Sequence, residues 1–101
     1  MNEKTPANVV DKSLIVFKVQ IGIFKGAPPE ELKAKYDAIG GVKRESTITG
    51  LTRYIKGEFN DYKAASKLKE EIAAKGIPDA FVIAFFNGQY ITVQEALELS
   101  K

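Results

Sequence analysis

The sequence predicts an α+β domain in which a four-stranded antiparallel sheet carries two helices on one of its faces. Segments rich in β-branched and aromatic residues, at 13–24 and 80–86, are typical of strands. Between them, apolar residues recur at helical intervals in two segments, 29–39 and 60–75. Because two further strand-like segments lie between those helices, the predicted order of elements is β-α-β-β-α-β.

The first helix and the pair of strands after it have clear boundaries. Pro29 suits the first turn of a helix, where its missing N–H costs nothing, and Gly40–Gly41 can end the helix in the left-handed conformation. Segments 42–49 and 51–59 then predict two strands joined near Gly50. The first of these strands is polar, so we expect water on at least one of its faces.

The second half of the chain carries similar boundary signals. Asn60 is a favourable N-cap for the second helix, and Gly76 with Ile77 matches the Schellman pattern at its end. The strand at 80–86 is apolar on both faces, so we expect it inside the sheet rather than at an edge. Asn87–Gly88 predicts a tight turn after that strand.

The last residues add a possible short strand, Tyr90–Ile91, and a short helix, whose start has the capping-box spacing of Thr92 and Glu95. Residues 1–12 lack sustained periodicity and contain a proline, so we assign them to a linker or disordered leader. Residues 13–100 form one domain. The order of elements matches the ferredoxin-like split βαβ arrangement, with a short C-terminal helix added.

Composition narrows the classes of function. The 101 residues include no cysteine and no histidine, which removes disulfides, thiolate nucleophiles and the usual general base at neutral pH. The adjacent carboxylates at 30–31 and 70–71 point about 100° apart on their helices, unlike a glycosidase pair. We therefore expect neither catalysis nor a cofactor or metal. No segment is apolar for long enough to span a membrane, and no signal peptide is visible.

The sheet face that the helices leave uncovered is the candidate binding surface. On the first strand, alternation of side chains places Lys18, Gln20 and Gly22 on that face. The formal net charge of +2 is spread among carboxylates and gives no clustered basic face for nucleic acid.

The third strand contributes Arg53 to the same face, because a buried, unpaired guanidinium is very costly. Leu51 and Ile55 then lie on the same side and add exposed apolar surface. An amide from Gln20, a guanidinium and a flat apolar surface together suit a sugar chain with N-acetyl groups. Ordinary solvated strand residues are the alternative interpretation.

Three short motifs, in order, resemble those of SPOR domains, which are peptidoglycan-binding modules of bacterial division and envelope proteins. Residues 19–24 (VQIGIF) are similar to the family's first-strand signature V-Q-x-G-x-F. Residues 53–59 (RYIKGEF) are similar to R-V-x-x-G-P-F before the second helix, and residues 75–82 (KGIPDAFV) resemble the junction into the last strand. The tail at 87–100 looks most like a Bacteroidetes-type subgroup.

The resemblance implies a module that grips glycan strands stripped of their stem peptides, in the periplasm or cell envelope. The family's binding positions fall on Gln20, Ile23, Leu51, Arg53 and Phe81. Gln20 and Arg53 match the family. Ile23 and Leu51 depart from it, because they replace a hydroxyl and a sugar-stacking ring. Phe81 can supply aromatic surface if it faces outward.

Two other functions use the same order of elements. An RNA-recognition domain stacks bases on sheet aromatics, but its pattern of a basic residue followed by G-F/Y-G/A-F-V-x-F/Y is absent. An ACT-like regulatory domain binds small molecules at a dimer interface, and Gly26 and Gly41 favour it only faintly. The expected partner is therefore peptidoglycan glycan rather than nucleic acid, bound by a monomer.

Overall fold

A computed structural model describes residues 11–100 and confirms the α+β class. Its strands are β1 (Ile15–Phe24), β2 (Lys43–Ser46), β3 (Thr52–Phe59), β4 (Phe81–Phe86) and β5 (Gln89–Ile91). Its helices are α1 (Glu30–Ile39), α2 (Tyr62–Ala74) and α3 (Val93–Leu99), and a 3-10 turn (Lys12–Leu14) precedes β1. Of the predicted leader, residues 1–10 lie outside the described residues.

One antiparallel sheet contains all five strands in the order β2-β3-β1-β4-β5. β1 is central, and β4 lies inside the sheet as its apolar sequence predicts. The four predicted strands are all present, and β5, which contains the short strand predicted at Tyr90–Ile91, pairs along β4 and extends the sheet. Asn87 and Gly88 make that pairing possible, since both adopt positive φ angles (50° and 82°) in the turn.

All three helices pack on one face of the sheet. The odd-numbered residues of β1, 15–21, point toward that face and divide between two core clusters. One cluster includes Ala65 of α2 and Ala96 of α3, and the other includes Tyr36 of α1 and Ile72 of α2. The opposite face of the sheet, which we call the open face, is covered by no helix of residues 11–100.

The N-cap of α2 is Asp61, so the prediction of Asn60 is wrong. The Asp61 carboxylate accepts a hydrogen bond from the Ala64 N–H at 3.2 Å. The Asn60 amide instead donates to the Ile15 carbonyl at 2.8 Å, which ties the end of β3 to the start of β1. A carboxylate one residue along is an equally good cap, which leaves the Asn60 amide free for this bond.

The other helix ends follow the sequence signals. Thr92 and Glu95 form the predicted capping box of α3. At the end of α2, the Ile77 N–H reaches the Ile72 carbonyl at 3.4 Å across Gly76, whose φ is 102°. This closure confirms the predicted Schellman pattern.

Two β-bulges interrupt the pairing of β1 with β3. Gly57 on β3 and Ile21 on β1 are the extra residues, since the register passes from Lys18↔Glu58 to Val19↔Lys56 and from Gln20↔Ile55 to Gly22↔Tyr54. Beyond Ile21 the alternation along β1 is therefore shifted by one residue. This shift is the structural feature that decides which side chains of β1 reach the open face.

Candidate functional site

A groove with a volume of about 940 Å³ runs along the open face. Its floor is formed by Val16, Lys18, Ile23, Arg53, Glu58 and Phe85. Its two ends are formed by the β2–β3 hairpin at 45–49 and the β4–β5 hairpin at 88–90. We call it the open-face groove.

Gln20 and Arg53 meet directly on the open face. The Arg53 Nε donates a hydrogen bond to the Gln20 Oε1 at 2.8 Å. Gln20 is only 5% exposed, so the alternative of an ordinary solvated strand residue does not hold for Gln20. The reason is packing: Gln20 is paired with Ile55 on one side and Phe81 on the other, and the Arg53 side chain lies against it.

The Arg53 side chain also contacts an aromatic ring of β5, the strand at the opposite edge of the sheet. Its Cζ lies 4.7 Å from the centroid of the Tyr90 ring. β3 and β5 are separated by two strands, which is about 14 Å in a flat sheet, so the two long side chains approach each other above β1 and β4. Ile83 belongs to neither helix-side cluster yet is buried, and on β4 it is the register partner of Lys18.

Tyr90 remains accessible although Arg53 contacts it. Its exposed fraction is 56%, and its ring packs edge-on with that of Phe85 at a centroid distance of 5.6 Å. Tyr90 and Phe85 are cross-strand partners in the β4–β5 hairpin. The two rings give the open face an aromatic surface that comes from the β4–β5 hairpin.

Lys18 forms a second polar bridge over the same face. Its Nζ lies 2.6 Å from the Glu45 Oε2 on β2 and 4.6 Å from the centroid of the Phe85 ring. Ile55, on β3 between Lys18 and Glu45, is only 4% exposed. The expectation that Ile55 offers exposed apolar surface is therefore wrong, because the neighbouring charged side chains cover it.

Formal charges balance in the open-face groove. Its lining includes two cations, Lys18 and Arg53, and two carboxylates, Glu45 and Glu58. The net formal charge of the lining is therefore zero. Such a groove offers hydrogen-bond donors and acceptors without attracting a polyanion.

A smaller pocket of about 270 Å³ adjoins the groove at the C-terminal half of β1. Gln20, Gly22, Ile23 and Phe81 all line it. Phe81 is 46% exposed and is the first residue of β4. β4 pairs with β1 no further than Gln20, and past this point none of the strands of residues 11–100 lies beside β1 on that side.

Gly22 does not belong to the open face, contrary to the prediction. A Cβ atom there would lie 2.2 Å from the Tyr36 Oη and 2.7 Å from the Phe24 ring, which are both on the helix side. Because of the bulge at Ile21, it is Ile23 that lies in the open-face groove, opposite Arg53 in the register.

Leu51 precedes β3 and lies in neither pocket. It closes the β2–β3 hairpin, where its N–H donates to the Thr47 Oγ1 at 3.1 Å. The Thr47 hydroxyl also accepts from the Thr49 N–H at 3.3 Å and so orders the tip that carries the fully exposed Ile48. This hairpin bounds one end of the groove.

Sequence reasoning missed Tyr90 and Phe85 as parts of the site. The available signal was the Asn87–Gly88 turn, since a two-residue hairpin puts the residues at 85 and 90 opposite each other. Side chains directly opposite on one face contact one another. The contact of Tyr90 with Arg53 depends on the curvature of the whole sheet and has no local signal.

Within residues 11–100, no group of three or more acidic side chains is placed to hold a metal ion. In the same part of the chain, no helix combines the length and the apolar character that a membrane span requires. Comparison with models of known protein families, with curated proteins and with solved structures gave no match. The geometry of the open face is therefore the basis on which a function is assigned.

Proposed function

We propose that the protein is a non-catalytic module that binds peptidoglycan glycan strands in the open-face groove and so brings an envelope protein to the cell wall. The observation that carries the proposal is the hydrogen bond between Gln20 and Arg53. These two residues come from separate SPOR-like motifs, yet they form one donor cluster beside the groove.

The chemistry of the groove suits a sugar chain that carries few charges. The guanidinium of Arg53 has donors left for sugar hydroxyls after its Nε bond to Gln20. The half-exposed ring of Tyr90 offers a flat apolar surface at the other side of the groove. The strand order β2-β3-β1-β4 is also that of the ferredoxin-like arrangement, which β5 extends.

Single-stranded nucleic acid is the competing ligand, because basic and aromatic side chains together bind bases and phosphates. A peptide-stripped glycan strand carries a lactyl carboxylate only on its muramic acid residues, whereas nucleic acid carries a phosphate at every nucleotide, so the balanced charges of the groove favour glycan. Each phosphate contact makes binding fall steeply with salt, whereas hydroxyl contacts do not. We therefore expect glycan binding that changes little between 50 and 200 mM salt, roughly the range over which phosphate-dominated binding collapses.

The direct test is retention on purified peptidoglycan sacculi, before and after an amidase has removed the stem peptides. We expect stronger retention on the treated sacculi and weak binding to single-stranded RNA. Tight, salt-sensitive binding to RNA with no retention on either form of sacculi would replace the glycan proposal by the nucleic-acid one.

Arg53→Ala and Arg44→Ala form a matched pair for this test. Arg53 lines the open-face groove, whereas Arg44 on β2 is the register partner of Tyr54 and lines a different pocket with α1 residues. Both changes remove one guanidinium and the same charge. We expect Arg53→Ala to lose retention and Arg44→Ala to keep it, and equal losses would move the site away from the open face.

A further inference from the structure

The side-chain amide of Gln20 is bonded at its oxygen only. Its Oε1 accepts from Arg53, which fixes the orientation of the amide, because only the oxygen can accept. Within residues 11–100 the structure gives the Gln20 Nε2 no acceptor. Gln20 is 95% buried, and a buried donor without a partner is costly and rare.

The direction of that donor follows from the position of Arg53. The two branches of a trigonal amide point about 120° apart, so the Nε2 is directed away from Arg53 and β3. On the other side of β1 lies Phe81, the register partner of Gln20. The small pocket of about 270 Å³ lies there, and Gln20 is part of its lining.

The rest of the small pocket is mostly apolar. Its lining includes Ile23, Leu32, Ile77, Pro78 and Phe81. It also includes one carboxylate, Asp79. A pocket with a buried amide donor, an apolar wall and a single acceptor is suited to a small neutral amide and repels anions. Its volume lies below the roughly 300–1,000 Å³ of pockets for whole small-molecule ligands, so it fits a substituent.

We propose that this pocket binds the N-acetyl group of an amino sugar whose ring lies in the open-face groove. This inference rests on the proposed glycan function and names the feature of the glycan that is recognised. The acetyl oxygen accepts from the Gln20 Nε2, the methyl group packs against Ile23 and Phe81, and the acetamide N–H donates to Asp79. The ligand class is thus an N-acetylated glycan rather than a plain hexose chain.

The test compares two neutral β-1,4-linked tetrasaccharides, one of N-acetylglucosamine and one of glucose, by calorimetric titration. They differ only in the group at carbon 2. We expect the N-acetylated tetrasaccharide to bind about tenfold more tightly, since a site built around a hydrogen bond discriminates against a ligand that lacks the group. The tetrasaccharide of glucosamine is the third ligand. Its ammonium groups would be attracted to Asp79 but offer the Gln20 Nε2 no acceptor, so we expect it to bind no better than the glucose form.

The decisive variant is Gln20→Glu. It keeps an oxygen for Arg53 and removes the amide donor, so the preference for the N-acetylated ligand should fall to near onefold. Gln20→Met is a second variant without charge, and melting curves show that each variant is folded. Gln94→Glu makes the same exchange on α3, outside both pockets, and should leave the preference at about tenfold.

Each outcome decides between the two proposals. Equal binding of the three ligands by the wild type, or an unchanged preference in both Gln20 variants, overturns the acetyl pocket and leaves the glycan function standing. Tighter binding of the glucosamine form also overturns it, as does retention on sacculi without binding of any tetrasaccharide. If the wild type binds neither the tetrasaccharides nor the amidase-treated sacculi, both proposals fall.

Discussion

Arg53 contributes to stability as well as to the proposed site, because its side chain covers part of the open face. It donates to the buried Gln20 and contacts the Tyr90 ring. We expect Arg53→Ala to lower the free energy of unfolding by about 1–2 kcal/mol, through the loss of a hydrogen bond and a cation–π contact. Urea unfolding measures this loss.

Arg44→Ala is the control for that measurement. Arg44 is exposed on β2 and makes no contact of this kind, so its loss should change stability by less than about 0.5 kcal/mol. Equal effects of the two substitutions would show that the contacts of Arg53 with Gln20 and Tyr90 do not stabilise the fold.

Gly22 tests the bulge in β1. We expect Gly22→Ala to destabilise the protein by about 1–3 kcal/mol, because the added methyl group would meet the Tyr36 hydroxyl and the Phe24 ring. Gly26→Ala is the matched control. A Cβ at Gly26 would meet nothing within 4 Å, so that change should be neutral or stabilise by up to about 1 kcal/mol. Equal melting temperatures for the two variants would contradict the placement of Gly22 on the helix side.

Residue chemistry allowed part of the site to be predicted. Arg53 was placed on the open face because burying its charge would be costly, and the structure has it there. Alternation alone puts Gly22 on the wrong face and does not bring Ile23 into the groove, since strict alternation fails at a bulge and nothing local marks Ile21 as the extra residue. The burial of Gln20 could not be predicted from the local sequence either, because it depends on the Arg53 side chain, 33 residues away.

The β4–β5 hairpin is the element that most changes the proposed site. It carries Tyr90, whose ring is the largest exposed aromatic surface of the open-face groove. We expect Tyr90→Ala to weaken glycan binding by about 0.5–1.5 kcal/mol, the size of one ring contact, in the same calorimetric titration.

Tyr90→Phe is the matched variant for the hairpin. It keeps the ring and removes only the hydroxyl, so binding should stay close to that of the wild type. A loss of affinity as large as that of Tyr90→Ala would show that the hydroxyl, and not stacking on the ring, contributes to glycan binding.

The elements themselves were largely predictable, since glycines, prolines and apolar periodicity mark their ends. The bounds of α1 and the capping box of α3 follow local chemistry closely. The fifth strand is less visible because three residues are too few to show alternation. Its pairing is determined by the turn before it and by the edge that β4 offers.

At the scale of the whole molecule, the buried phenol of Tyr36 makes the stability of the fold depend on pH. Burial raises the pKa of Tyr36, and the nearby Tyr54 and Asp79 raise it further. Its hydroxyl donates to the Ile21 carbonyl at 3.0 Å, at the bulge itself. The neutral phenol therefore favours the folded state below its ordinary pKa of about 10, and this contribution is lost as pH rises through the raised value.

The measurement is the free energy of unfolding from pH 8 to 11.5 for the wild type and for Tyr36→Phe. The two proteins differ only at residue 36, so the difference between the two curves isolates Tyr36. We expect a constant difference up to about pH 9 and a falling advantage of the wild type above about pH 10. A difference that stays constant to pH 11.5 would show that Tyr36 ionises freely.

The central place of β1 has a mechanical consequence. β1 is paired with β3 on one side and with β4 on the other. A pull applied ahead of Lys12, along the strand axis, loads both ladders in shear, so that many hydrogen bonds must break at once. β5 is paired on one side only, with β4 and over three residues, so the same pull along its axis loads a single short ladder. The fold therefore resists stretching from the side of β1 far better than from the edge of the sheet.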